Sequence, residues 1–135
     1  MTGKEVHRGD LVSREEAIHI FVVDDEKAIA ETLAVILARS GFTVTSFTSP
    51  SEALKKARTL PPGLLLSDVF MMELSGVDLA VQIKETYPDC KILLFSGQAG
   101  TNDLLSGARA RGYDFPLVAK PIHPSDLVQR IRDLI

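Results

Sequence analysis

Five times from residue 18 onwards, a short apolar run gives way to a longer stretch of helical spacing, and few folds accommodate that rhythm. The first run, residues 18–23, is β-branched and aromatic and carries apolar residues on both sides, as a strand covered on two faces requires. Strands separated by a helix-length connection pair in parallel, with right-handed crossovers and helices on both faces. The pattern therefore predicts an α/β fold around a doubly wound parallel sheet of five strands and five helices.

The punctuation agrees with the periodicity. Ile29, Leu33, Ile36 and Leu37 form one apolar helix face that ends before Gly41, and residues 42–47 read as the second strand. Ser49, Pro50 and Glu52 then supply an N-cap, a first helical position and a capping-box partner for a helix that turns Ala53, Leu54 and Ala57 inward. Residues 64–67 form a third strand running into Asp68, and a helix after Gly76 carries Leu79, Ala80 and Ile83. The remaining elements are a strand at 91–95, a weaker helix at 101–110 interrupted by Gly107, a strand at 115–119, and a last helix. In that helix Leu127, Val128, Ile131 and Leu134 share a face, and residues 124–126 give the start signal.

With 135 residues, the chain has the size of one domain. Residues 18–135 make up that domain, and residues 1–17, which lack sustained periodicity, read as an N-terminal extension. A formal net charge of -3 leaves no basic face to release phosphate counterions, so direct nucleic-acid binding is not expected. The single cysteine, Cys90, has no internal disulfide partner and reads as structural. No apolar stretch reaches the roughly 18 residues of a spanning helix, nor does the N-terminus resemble a secretion signal. The expected location is cytoplasmic, without membrane contact.

Ligands of doubly wound sheets bind beyond the carboxyl ends of the strands. Those ends carry Asp24 and Asp25, then Asp68, Ser96 and Lys120. Each has an ordinary explanation alone: Asp25 as a helix cap, Asp68 as a turn residue, Ser96 as a loop hydroxyl, Lys120 as a solvated charge. Gathered on one edge, three carboxylates repel one another unless a cation lies between them. Magnesium suits oxygen ligands and retains water while sharing carboxylates with phosphate. A carboxylate so neutralised can act as nucleophile towards a phosphoryl group whose oxygens need donors, and Ser96 and Lys120 are donors of that kind.

These residues carry a resemblance. The segment Val22-Val23-Asp24-Asp25-Glu26, then Asp68-Val69 with Gly76 at the familiar interval, then Ser96-Gly97, then Lys120-Pro121 resembles response-regulator receiver domains of two-component signalling, over residues 18–135. The resemblance implies a flavodoxin-like sheet in the order 2-1-3-4-5, as in single-domain chemotaxis regulators. It implies that Asp68 accepts a phosphoryl group from a sensor histidine kinase or a histidine phosphotransfer protein. Asp25, Asp68 and the backbone carbonyl of Phe70 would hold Mg2+ directly, with Asp24 acting mainly through metal-bound water. Ser96 and Lys120 would bind the phosphoryl oxygens, and the Lys120-Pro121 bond would be cis. Output would pass through altered contacts with a downstream protein, by a monomer or a phosphorylation-dependent dimer. The chain would be a stand-alone receiver or a fragment of a larger regulator, catalysing only its own phosphorylation and dephosphorylation.

Two positions depart from the pattern: Met72 stands where receivers usually carry proline, and Leu117 where they usually carry an aromatic switch residue. Tyr113 and Phe115 lie close by, but Leu117 and Phe115 are read as alternate residues of a strand and not as a relocated switch. Phe70 and Gln98 flank the expected route of water to an acyl phosphate, and a ring at Phe70 predicts a longer-lived phosphorylated state. Glu26 reads as a first-turn residue favoured by the helix dipole. His7, His19 and His123 are assigned no chemistry.

The alternative to the phosphoacceptor reading is a phosphorylation-independent interaction module of the same fold. A phosphohydrolase would usually place a second aspartate where Phe70 stands. A flavin site would meet repulsion from residues 24–26.

Overall fold

The computed structural model describes residues 18–97 and 100–135; the expected N-terminal extension and Gln98 lie outside the described residues. Five strands alternate with five helices among them: β1 (His19–Val23), α1 (Lys27–Arg39), β2 (Thr43–Phe47), α2 (Pro50–Ala57), β3 (Leu64–Asp68), α3 (Gly76–Thr86), β4 (Lys91–Ser96), α4 (Thr101–Ala110), β5 (Leu117–Ala119) and α5 (Pro124–Leu134). The strands form one parallel sheet in the order β2-β1-β3-β4-β5.

Alternation along the strands builds two cores. Phe21, Val23 and Leu65 face the layer of α2, α3 and α4, where Ala53, Ala57, Leu79, Ala80, Ile83 and Leu105 are buried. Ile20, Val22, Leu64 and Leu66 face the layer of α1 and α5, with Ala30, Leu37, Leu127 and Ile131. Each fully buried Leu or Ile contributes roughly 1.5–3 kcal/mol of transfer free energy, so both layers are anchored to the central strands.

The helix ends follow the sequence, with differences in detail. Ser49 Oγ accepts from the Glu52 N–H at 3.3 Å and caps α2, with Pro50 opening the helix. Gly41, just past α1, takes a φ of 97°, which a side chain would strain. Asp25 is not the cap of α1; Glu26 holds that position, outside the first turn, and makes no side-chain cap bond. The α5 cap is His123, whose Nδ1 accepts from the Ser125 N–H at 3.1 Å.

The fifth strand is shorter than expected. It starts at Leu117 because Pro116 has no N–H to give to a ladder, although its carbonyl still accepts from Leu94 N–H at 3.0 Å. Phe115 therefore lies outside the strand, buried and stacked on Tyr113 with ring centroids 5.7 Å apart. Gly107 does not interrupt α4. Cys90 is buried, which pushes its thiol up to about 12, so it is protonated and inert at neutral pH. Among the described residues, no helix is long and apolar enough to cross a membrane.

Candidate functional site

β1 delivers Asp24 to the carboxyl edge of the sheet. Its N–H donates to Phe47 O at 3.1 Å, continuing the strand ladder, and its Oδ1 accepts from Glu26 N–H at 2.9 Å. The residue is fully buried, and Oδ2 has no hydrogen-bond partner. Asp25 is exposed, with Oδ2 accepting from the Met72 N–H at 3.2 Å. A proline at position 72 could not make that bond.

Asp68 closes β3, opposite Phe95 of β4. Its backbone is clamped: Ser67 Oγ donates to the Asp68 carbonyl at 2.9 Å, and Gly76 N–H donates to Val69 O at 2.7 Å. Any side chain at Gly76 would place its Cβ 1.9 Å from the Asp68 carbonyl oxygen, so the close approach admits glycine alone.

Lys120 arrives from the end of β5. Its N–H donates to Ser96 O at 3.1 Å, and the bond to Pro121 is cis. Nζ lies 3.4 Å from Asp68 Oδ1, 3.5 Å from Asp24 Oδ2, and 4.6 Å from the centroid of the Phe95 ring. The lysine is thus held by two carboxylates and a buried aromatic face.

Asp24, Asp25 and Asp68 bring carboxylate oxygens within 4.8 Å of one another. Three negative charges against the single ammonium of Lys120 leave two unit charges uncompensated (three minus one) in this cluster. Burial, above all, pushes the Asp68 carboxyl above its ordinary range; Lys120 opposes the rise and Asp24 adds to it. A buried oxygen without a hydrogen bond, hard oxygen donors only, and an excess of two negative charges fit a divalent cation that takes oxygen ligands.

Ser96, the last residue of β4, is buried one register step beyond Phe95 and accepts from Thr101 Oγ1 at 3.0 Å. The Phe70 ring lies beside Gly100, with Cζ 3.7 Å from where a Gly100 Cβ would stand. The loop carrying Phe70 and Met72 is fastened from outside by Glu73. Its carboxylate accepts from Ser49 Oγ at 2.6 Å and from Ser51 Oγ at 3.2 Å, and the Ser49 hydrogen bond holds it below the usual carboxylate range.

The structure therefore brings Asp24, Asp25, Asp68 and Lys120 together, with Ser96 at the neighbouring strand end. The sequence reading missed Thr101, Glu73 and the Phe95 ring. Thr101 showed only as a helix start and Phe95 only as a strand residue, and Glu73 belongs to a loop without periodicity. His19 bonds Thr45 Oγ1 at 2.6 Å near the other end of the sheet, consistent with a packing role.

Residues 20–132 match the family of the response regulator receiver domain. The chain belongs to this family, and is a receiver domain of the two-component response-regulator type. It is 32% identical over 116 residues to the transcriptional regulatory protein CreB of Escherichia coli, covering 86% of this chain and 50% of CreB. It is 30% identical to the receiver protein CpdR of Brucella abortus, covering 86% of this chain and 95% of CpdR. The chain spans about half the length of CreB and of the probable transcriptional regulatory protein TcrX of Mycobacterium tuberculosis.

Among solved structures, it is similar to the response regulator protein TrrA of Thermotoga maritima in complex with Mg2+-BeF. The TM-score is 0.75, with 29% identity over 87% of this chain and 99% of that one. A CheY-like receiver domain protein of Methanospirillum hungatei gives a TM-score of 0.77 at 25% identity, covering 86% and 91%.

Proposed function

We propose that Asp68 is the phosphoacceptor of this receiver domain. The observation that carries the reading is the contact of Lys120 Nζ with Asp68 Oδ1 in a cluster of three carboxylates, Asp24 and Asp68 buried and Asp25 exposed, that keeps two uncompensated negative charges. An Asp68 carboxylate oxygen attacks the phosphorus of a phosphohistidine on a sensor kinase or histidine phosphotransfer protein. The new O–P bond forms as the P–N bond breaks, and the departing imidazole takes the electron pair. Lys120 and Ser96 donate to the phosphoryl oxygens, so charge that builds there meets donors already in place.

Asp25, Asp68 and the Phe70 carbonyl would hold Mg2+ directly, with Asp24 acting through bound water. The ion would offset the repulsion of the carboxylates and draw phosphoryl oxygens towards Asp68. Lys120 is preorganised by Asp24 and Phe95 at the edge where the phosphoryl oxygens would lie. The Phe70 ring, reaching towards Gly100, limits the approach of water to the acyl phosphate. The domain acts as a signalling module in the cytoplasm, passing its state to a downstream protein by altered contacts.

Titration of the chain with beryllofluoride in the presence of Mg2+, followed by heteronuclear NMR, tests this reading. Saturable shifts centred on residues 68, 96 and 120, reversed by a chelator, are expected. Shifts absent in the parent chain, or unchanged in Asp68→Ala, would contradict it.

A further inference from the structure

Thr101 lies outside the set of residues that the proposed chemistry uses, yet it is buried beside that set. It opens α4 directly after Gly100, which takes a φ of 87° and provides no side-chain cap. The Thr101 hydroxyl points back to the sheet and donates to Ser96 Oγ at 3.0 Å. A serine hydroxyl has one donor and two acceptor sites, so accepting from Thr101 does not consume the Ser96 proton. Hydrogen bonds in series polarise one another, which makes Ser96 the better donor to an anion.

We propose that Thr101 is a positioning residue for phosphoryl binding: its hydroxyl sets the orientation of Ser96 and ties occupancy of the site to the first turn of α4. The inference rests on Ser96 donating to a phosphoryl group on Asp68. Serine has three staggered side-chain orientations, and the Thr101 hydrogen bond selects among them. If Ser96 turns towards a phosphoryl oxygen, the Thr101 hydroxyl must follow it or lose this acceptor in a buried setting. Because Thr101 is the first residue of α4, following Ser96 moves the start of that helix.

The test uses the full chain and the variants Thr101→Val, Thr101→Ser, Ser96→Ala and the Ser96→Ala/Thr101→Val double variant. Valine keeps the shape of threonine and removes only the hydroxyl. One readout is the rate of labelling by acetyl phosphate with Mg2+, followed by intact mass. The other is amide exchange over residues 101–110, with and without beryllofluoride and Mg2+.

Thr101→Val should label about five- to tenfold more slowly than the parent and lose the ligand-dependent exchange change in α4, while Thr101→Ser restores both. On the Ser96→Ala background the valine should have no further effect on rate, since Thr101 acts through Ser96. Parent-like rate and exchange in Thr101→Val would overturn the inference alone, as would an equal slowing on the Ser96→Ala background. A parent chain that takes up no phosphoryl group would remove the underlying reading and this inference with it.

Discussion

Lys120 Nζ stands 3.4 Å from Asp68 Oδ1, while a second buried carboxylate, Asp24, draws on the same ammonium from 3.5 Å. The lysine is the one cation placed among the three clustered carboxylates of the described residues, and the cis bond to Pro121 follows directly behind it.

Replacing Lys120 by glutamine keeps a donor but removes the charge that opposes the rise of the Asp68 carboxyl. Labelling by acetyl phosphate should slow about 10²-fold, the typical loss for a preorganised donor aimed at developing charge. Stopped time courses analysed by intact mass give the rate.

Asp68→Asn should stabilise the metal-free chain. The Asp68 carboxyl is raised above its ordinary value, first by burial, with Asp24 adding to the rise. The folded state therefore holds that proton more tightly than the unfolded state. As pH climbs from the ordinary carboxyl value through the raised one, ionisation of Asp68 removes stability. Above that window asparagine should raise Tm. Calorimetry in chelator at neutral pH checks the sign, and the gain should shrink in acid, where Asp68 is protonated in both states.

Gly76→Ala should be severely destabilising, because its Cβ would sit 1.9 Å from the Asp68 carbonyl oxygen, which belongs to the clamped strand end. Relieving that contact requires backbone movement, at a cost of about 3 kcal/mol or more. Urea unfolding of the variant measures it, whereas Gly107→Ala, with open space around it, should leave the midpoint unchanged or higher.

Phe70→Asn should shorten the life of the phosphorylated state severalfold. The ring lies beside Gly100, just past the residue that closes β3, and a smaller polar side chain should admit water. Loss of the phosphoryl adduct after removal of acetyl phosphate gives the rate, and an unchanged half-life would rule out the ring as a barrier.

The central strands were legible because they are buried on both faces, which forces near-continuous apolar runs such as residues 20–23 and 64–66. β5 was less so: the apolar run continues through Phe115 and Pro116, but pairing begins only after the proline. Asp24, Asp25, Asp68, Ser96 and Lys120 could be picked out because sheet topology places strand ends together whatever lies between them. Contacts that depend on side-chain orientation or loop path were invisible. His123 as a helix cap, Glu73 reaching Ser49, and Thr101 on Ser96 link residues whose chemistry allowed many other partners. Met72 could be marked as a departure from the receiver pattern, but its N–H bond to Asp25 emerges only from the loop's path.

The most direct test of the central claim is intact mass after incubation with acetyl phosphate and Mg2+, comparing the parent chain with Asp68→Ala. A single phosphoryl adduct on the parent, dependent on Mg2+ and absent from the variant, is the predicted result. No adduct on the parent, or an adduct that survives in Asp68→Ala, would contradict Asp68 as phosphoacceptor; no adduct at all would favour an interaction module that works without phosphorylation.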